Sequence, residues 1–353
     1  MQKKILLICL FLAVSLPESP ACTTVIVSAG KSSTGRPLML KVRDTEDSFN
    51  HIAHFRGPEY SFTGLVNSLD SLRKSVWAGA NDQGFCIMNS VSYNLRPDSL
   101  ENKPYEGMVM KAALGICATV DEFENYLRNL PKPCGLETNY GVIDAVGGAA
   151  YFEVWDYGYT RFDVKDAPEG YLVRTNFSLS GRKDDGKGYV RYESARKLLA
   201  DKGRKKISPQ FLIDRIARSF YNARLGRDLA KGHIPEDGLV NVDDCIPRPT
   251  TTACIAFEGI TGDDPREGVV LWCTLGYPPV CAAVPVRVAD GEKIPEPLRE
   301  PDLQALRLKD NLMPVSRDGG RKYLDMRTLR RRIEPSVRRN EHRTFRRFKR
   351  NRT

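Results

Sequence analysis

Residues 22–44 read CTTVIVSAGKSSTGRPLMLKVRD. The β-branched run from Thr23 to Val27 favours an extended strand, because two heavy atoms on Cβ suit a pleated surface better than a helix. Residues 30–37, GKSSTGRP, supply the glycines and proline of a turn, and residues 38–44, LMLKVRD, form a second apolar strand. A β-hairpin therefore opens directly after Cys22.

The sequence ahead of Cys22 has a different character. Lys3 and Lys4 are followed by an apolar run from Ile5 to Leu16 that is too short to span a membrane, and Ser19 and Ala21 give a Ser-x-Ala cleavage site. Residues 1–21 read as a signal peptide, which makes Cys22 the first residue of an exported, mature chain. Three roles compete for that cysteine: a lipoprotein anchor, a disulfide partner and an N-terminal nucleophile. The lipoprotein reading meets Ser19 where a large aliphatic residue is usual, and no polar tether separates Cys22 from the strand.

Charge is concentrated at the far end. Residues 316–353 hold 15 Lys or Arg against 4 Asp or Glu, a net of +11, while the whole chain carries +10. The domain itself is thus close to neutral, and the tail reads as a solvated basic extension that can touch anionic surfaces, with no specific nucleic acid implied. The expected organisation is a catalytic domain over 22–300 and a charged, strongly basic extension over 301–353. The extension should be separable after about Pro314 unless Leu324, Leu329, Ile333 and Val337 line a packed helix. The sequence carries no signal of an oligomeric state.

From residue 22 onward the cysteines are Cys22, Cys86, Cys117, Cys134, Cys245, Cys254, Cys273 and Cys281, and the histidines are His51, His54, His233 and His342. None of these makes a CxxC or a metal-like Cys/His pair. A thiol attacks only as thiolate and needs a base, yet His51 and His54, in the polar stretch FNHIAHF, read as surface residues. A mature N-terminus offers its own α-amino group instead, with an ordinary pKa of roughly 7.7–8.0. Cys22 would then carry nucleophile and base together, which explains its place at the cleavage point.

Further strand-like runs follow at GFCIMNSVSYN, TNYGVIDAV, GAAYFEVWD, GYTRFDV and GYLVRTNF, and late strands at TTTACIAFEGI and GVVLWCTLGYPPVCAAVPVRV pair across TGDDPRE. Helical spacing appears in GMVMKAALGICATVDEFENYLRNL, with Thr119 or Asp121 as an internal cap. It recurs in GYVRYESARKLLADKG and in SPQFLIDRIARSFYNAR, where Ser208 caps and Pro209 opens the first turn. Many strands with few helices, not in strict alternation, indicate an α+β layered fold.

Four of these segments, CTTVIV (22–27), GRPLMLKVRD (35–44), GANDQGFCIMNS (79–90) and YLVRTNFSLSG (171–181), stand in an order that resembles the N-terminal nucleophile (Ntn) hydrolases of the linear-amide type. That family holds the acyl-coenzyme A:isopenicillin N acyltransferases, penicillin V acylases and bile salt hydrolases. The resemblance covers about residues 22–290 and is closer to the acyltransferase-like branch. It implies a four-layer αββα sandwich with the Cys22 strand in a central sheet. It also implies a hydrolase of small-molecule N-acyl amides that needs no metal or organic cofactor. The family's Arg-x-x-Asp falls on Lys41 and Asp44. Asp44 would bind the α-amine, and Lys41 or its neighbour Arg43 would supply positive charge; lysine for arginine loses the planar two-point contact. The backbone N–H of Asn89 and the side-chain amide of Asn176 would serve as oxyanion donors. Arg191 and Arg196 compete for a later active-site arginine. Glu153, within the apolar run YFEVW, reads as a buried structural carboxylate outside the site. Two rivals remain: a dipeptidase of the related Cys-nucleophile family, and a surface binding protein lipid-anchored through Cys22.

Overall fold

A computed structural model describes residues 21–96, 105–262, 268–313, 316–317 and 321–350; all of the expected signal peptide except Ala21 lies outside them. The opening hairpin forms as β1 (Ala21–Val27) and β2 (Leu38–Asp44), with Cys22 opposite Arg43 and Thr24 opposite Lys41. There follow β3 (Asn50–Arg56), β4 (Ser61–Asn67), β5 (Ala78–Asn81), β6 (Cys86–Val91), helices α1 (Glu106–Ile116) and α2 (Val120–Asn129), then β7 (Thr138–Ile143), β8 (Ala149–Trp155), β9 (Gly158–Asp163) and β10 (Tyr171–Arg174). Helix α3 (Tyr189–Ala200) precedes α4 (Pro209–Phe211), which runs on as a π-helical segment, Leu212–Ala217. Short strands β11 (Tyr221–Asn222), β12 (Arg227–Asp228) and β13 (Leu239–Asn241) lead to β14 (Thr251–Glu258), β15 (Val270–Leu275) and β16 (Val284–Arg287). The chain closes with α5 (Leu303–Leu312), β17 (Ser316–Arg317), β18 (Arg321–Asp325), α6 (Met326–Thr328), a π-helical turn Leu329–Ile333, and α7 (Glu334–Arg350).

Two antiparallel sheets dominate, one ordered β10-β1-β2-β14-β15-β16 and the other running β3 to β9 in sequence order. Side chains alternate across a strand, and the alternation here assigns the layers. Ile26, Met39, Ile255 and Leu271 of the first sheet pack against Ile52, Leu65, Met88 and Tyr151 of the second. Their neighbours Val25, Leu40, Ala256 and Val270 face the other way, under Leu199, Ile213, Ile216 and Phe345. On the far side of the second sheet Phe62, Ile87 and Phe152 lie beneath Met110, Leu114, Phe123 and Leu127 of α1 and α2. The result is helix, sheet, sheet, helix, the αββα order that the family resemblance implies.

The helical stretch 107–130 divides at its internal cap. Thr119 Oγ1 accepts from the Glu122 N–H at 3.1 Å while the Glu122 carboxylate accepts from the Thr119 N–H at 3.2 Å, a reciprocal cap that ends one helix and begins the next. Ser208 caps α4 as expected, accepting from the Phe211 N–H at 3.0 Å.

The C-terminal extension differs from its expectation. Val337, Glu341 and Phe345, four residues apart in α7, are buried, and Phe345 stacks on Trp272 with ring centroids 3.7 Å apart. Glu341 pairs with Arg218 through two bonds of 2.7 and 2.6 Å and accepts the Ala283 N–H at 2.9 Å. Leu324 and Leu329 are buried in a cluster with Val242 and Tyr277. The segment is thus part of the fold's outer helical layer, and residue 300 is no structural boundary. Its basic residues Arg339, Arg343, Arg346 and Arg347 are exposed on the outward side of α7.

Truncation after Pro314 strips Arg218 of Glu341, which holds it through two bonds, and leaves it Asp214 at 2.8 Å as its remaining carboxylate. We expect it to cost upwards of about 3 kcal/mol, since breaking a buried ion pair from one side carries a penalty of that order. Chemical denaturation of the full and truncated chains measures this, and equal stabilities would show that α7 is dispensable.

Candidate active site

Residues directly opposite in an antiparallel ladder share a face. Cys22 and Arg43 therefore point the same way, as do Thr24 and Lys41, and Ile26 with Met39 further along the same rows lies in the layer between the sheets. The thiol, Lys41 and Arg43 thus face the sandwich interior. Asp44, one residue out of phase with Arg43, faces the helical layer.

On the interior face, Lys41 links the two sheets. Its ammonium donates to Asn89 Oδ1 on β6 and to the carbonyl of Trp77, both at 2.6 Å. Burial pushes Lys41 down to about 8; Cys22 opposes the shift and the Arg43 guanidinium adds to it. Arg43 donates to Asn50 Oδ1 at 2.7 Å, and its guanidinium lies 5.2 Å from the centre of the Trp77 ring. Asn89 Nδ2 donates to Thr138 Oγ1 at 3.2 Å.

At the same strand end, facing the helices, Arg191 of α3 converges on the Cys22 backbone. Nη1 donates to the Cys22 carbonyl at 2.5 Å and to Thr23 Oγ1 at 3.0 Å, and Nη2 donates to Asn176 Oδ1 at 2.7 Å. Asp44 Oδ2 lies 3.9 Å from Arg191 and is buried with no hydrogen-bond partner, whereas Oδ1 accepts the Thr251 hydroxyl at 2.6 Å. Burial raises the Asp44 carboxyl above its ordinary value, with Arg191, Arg248, the Thr251 hydroxyl and Lys309 pulling the other way.

Asn176 departs from its expected part. Its Oδ1 accepts the Cys22 N–H at 3.0 Å and its Nδ2 donates to the Val91 carbonyl at 2.9 Å. In this geometry it anchors the nitrogen of Cys22. The loop that carries it is pinned from the second sheet. Glu153 Oε1 accepts from Arg174 Nε at 2.7 Å and the Leu179 N–H at 2.8 Å, while Oε2 accepts the Ser180 N–H at 2.7 Å. Ser178 Oγ donates to Asn139 Oδ1 at 2.6 Å. Glu153 is a fully buried carboxylate whose bonds to Arg174, Leu179 and Ser180 bracket Asn176 in the chain.

The structure separates the two candidate arginines. Arg191 is buried against Cys22, whereas Arg196 is exposed, with its guanidinium 5.6 Å from the Tyr192 ring centre, so Arg196 leaves the site. His51 and His54, expected at the surface, lie on β3, where His51 is buried and His54 half-buried, with Nδ1 bonded to Ser68 Oγ at 2.7 Å and to Thr63 Oγ1 at 3.1 Å respectively. The cysteines from 22 onward are all free. Thr251 was missed by sequence reading. It lies inside TTTACIAFEGI, where three successive threonines look like ordinary strand formers and nothing marks the one opposite Asp44.

No family model and no curated protein matches the sequence. Among solved structures, the chain is similar to an N-acylethanolamine-hydrolyzing acid amidase ortholog from Caenorhabditis elegans, at 14% identity over 67% of this chain and 92% of that one, with a TM-score of 0.44. It is also similar to a conjugated bile acid hydrolase from Clostridium perfringens (13%, 76% and 93%, TM-score 0.45) and to penicillin V acylase from Agrobacterium tumefaciens (12%, 76% and 86%, TM-score 0.43).

Lys41 sets a stability test with a definite sign. Its folded-state value of about 8 lies below its ordinary 10.5, so between these two pH values the unfolded chain holds more protons and native stability rises with pH. Lys41→Met removes that dependence. Wild type should gain up to about 3 kcal/mol on the variant between about pH 7.5 and about pH 10.5, read by urea unfolding at both. A constant difference would place the Lys41 ammonium in a less desolvated setting.

Proposed function

We propose that this chain is an exported cysteine-dependent hydrolase of linear N-acyl amides, an Ntn hydrolase in which removal of residues 1–21 frees the α-amine of Cys22. The observation that carries the reading is the position of Cys22 at the head of β1. Its nitrogen sits on Asn176 Oδ1 at 3.0 Å and its carbonyl on Arg191, while its side chain shares a face with Arg43 and Lys41. A residue whose backbone is held from one side of the sheet and whose thiol is met by cations on the other is suited to nucleophilic attack.

Removing Ala21 takes away the residue paired with Asp44 and turns the Cys22 amide into an amine. The buried, unpartnered Asp44 Oδ2 is a ready acceptor for the resulting ammonium. In the reaction the Cys22 thiolate attacks the amide carbonyl carbon. The C–N bond breaks, the leaving amine takes a proton from the α-ammonium, and a thioester remains. Water then attacks the thioester while the α-amine accepts its proton, which releases the acid and restores the thiol. Lys41 and Arg43 offset negative charge on the sulfur, and the backbone N–H of Asn89 is the proposed oxyanion donor, since Asn176 Nδ2 is taken by the Val91 carbonyl. Cys22 is only 7% exposed, a setting that favours this reading over a lipid anchor, because an acylated thiol there would have to thread the sheet interior.

The test compares three purified forms on a panel of N-acyl amides, with each amino terminus fixed by mass: processed wild type, Cys22→Ser, and a chain retaining one residue before Cys22. Only the first should turn over substrate, since the second lacks the thiol and the third lacks the basic amine. Activity in either altered form removes Cys22 from the proposed role, and a diacylglyceryl adduct on Cys22 removes the enzyme reading itself.

The outward basic row of α7 is proposed to contact anionic surfaces independently of this chemistry. Its support is the exposure of Arg339, Arg343, Arg346 and Arg347 on one side of a single helix. Sedimentation with anionic vesicles should weaken steeply as salt rises and be lost when the four are changed to Gln; salt-independent binding would refute it.

A further inference from the structure

Helix α5 belongs to the segment that composition marks as an extension, and it reaches the nucleophile's end of the first sheet. Asp302 caps it by accepting the Ala305 N–H at 2.9 Å, and Ala305, Lys309 and Leu312 form its buried side. Two of these three are the small or apolar residues that such a face needs. The third is a lysine 7% exposed, a residue seldom buried unless it is paired. Its ammonium donates to the Thr251 carbonyl at 2.9 Å and lies 5.8 Å from the Tyr277 ring centre.

Thr251 is the residue opposite Asp44 in the β2–β14 ladder. Its hydroxyl donates to Asp44 Oδ1 at 2.6 Å and accepts the Arg248 N–H at 3.0 Å. A continuous path therefore runs from α5 through Thr251 to Asp44, and on to Arg191 and the backbone of Cys22. We propose that Lys309 is a positioning residue for the nucleophile: by holding Thr251, and by adding a cation beside Asp44, it keeps that carboxylate ionised and aimed at the nitrogen of Cys22. The proposal deepens the amidohydrolase reading and rests on it for the role of the Cys22 amine.

The charges around this pair come from several elements. Asp44 is faced by Arg191 from α3, Arg248 from the turn before β14, Lys309 from α5 and the Tyr277 hydroxyl, with Lys41 and Arg43 on its own strand. Lys309 is faced by Asp44, by Asp310 on its own helix, by Lys322 from β18 and by Cys281. Burial favours the neutral acid at Asp44, so each cation lost lets the carboxyl protonate at higher pH. The acid limb of any process that needs ionised Asp44 must then move upward.

Two pH profiles test this in the processed, full-length protein. One is kcat/KM on an N-acyl amide. The other is the rate of Cys22 alkylation by iodoacetamide, located by peptide mass, which needs no substrate. In Lys309→Met both acid limbs should move up by about half a pH unit or more, and Lys309→Arg should bring them back. Thr251→Val keeps the shape, removes the hydroxyl link and leaves the lysine in place; it should shift the limbs in the same direction even if Lys309→Met folds poorly. Unmoved limbs in Lys309→Met and Thr251→Val, with only the melting temperature lowered, would overturn the proposal, as would an arginine variant shifted as far as the methionine one. A shifted alkylation profile in a protein that hydrolyses no amide would leave the positioning role standing while the amidase reading fails.

Discussion

The arrangement depends on the phase of one strand. β1 is paired on both edges, to β2 and to β10, so its register cannot slip without breaking two ladders. Because successive side chains point to opposite faces, a shift of one residue would send the Cys22 thiol toward the helices and put Thr23 in its place. With the phase fixed, the two faces divide the labour. The interior face sets Lys41 and Arg43 on the side of the sulfur, the helical face brings Arg191, with Asp44 3.9 Å from it, to the Cys22 carbonyl, and Asn176 from the loop after β10 meets the Cys22 N–H.

That division is bought with desolvation. Lys41 and Asp44 are both shifted by burial toward their neutral forms, and an apolar core of the same size would be the more stable choice. The surrounding structure holds these groups in place with hydrogen bonds from more than one element: Lys41 reaches β6 and Trp77, and Asp44 meets Thr251 and lies near Arg191. Around the loop of Asn176, Glu153 and Asn139 make the same kind of contribution from the second sheet.

Much of this was legible in the sequence, for physical reasons. Nearly unbroken apolar and β-branched runs such as residues 22–27 and 251–257 mark strands whose faces are both covered, and the caps at Thr119 and Ser208 follow from unsatisfied N–H groups at helix starts. The choice between Arg191 and Arg196 was hidden because it depends on helix phase; five residues apart, they lie about 140° apart around α3, so only one can face the sheet. The packing of the extension was hidden for a related reason. Charge density is a sum over a segment, whereas burial is decided by a single stripe, and in α7 the stripe of Val337, Glu341 and Phe345 is narrow and includes an acid. Lys309 carried no signal, since a lysine that faces inward and one that faces water are spelled alike. The donor–acceptor sense of Asn176 likewise belongs to the folded geometry, and residue type alone does not decide it.

Distance along the chain adds a temporal dimension. The nitrogen of Cys22 is held by a residue 154 positions away, and Arg218 waits 123 positions for Glu341. Contacts of such span form late, and during synthesis the N-terminal part of a chain emerges first. Until α7 is available, Trp272 lacks the Phe345 ring and Arg218 lacks Glu341, and the sheet that carries Cys22 is incomplete on its helical side. Arg218 and Trp272 therefore gain Glu341 and Phe345 from a distant part of the chain, so this face of the sandwich closes only once widely separated segments have met.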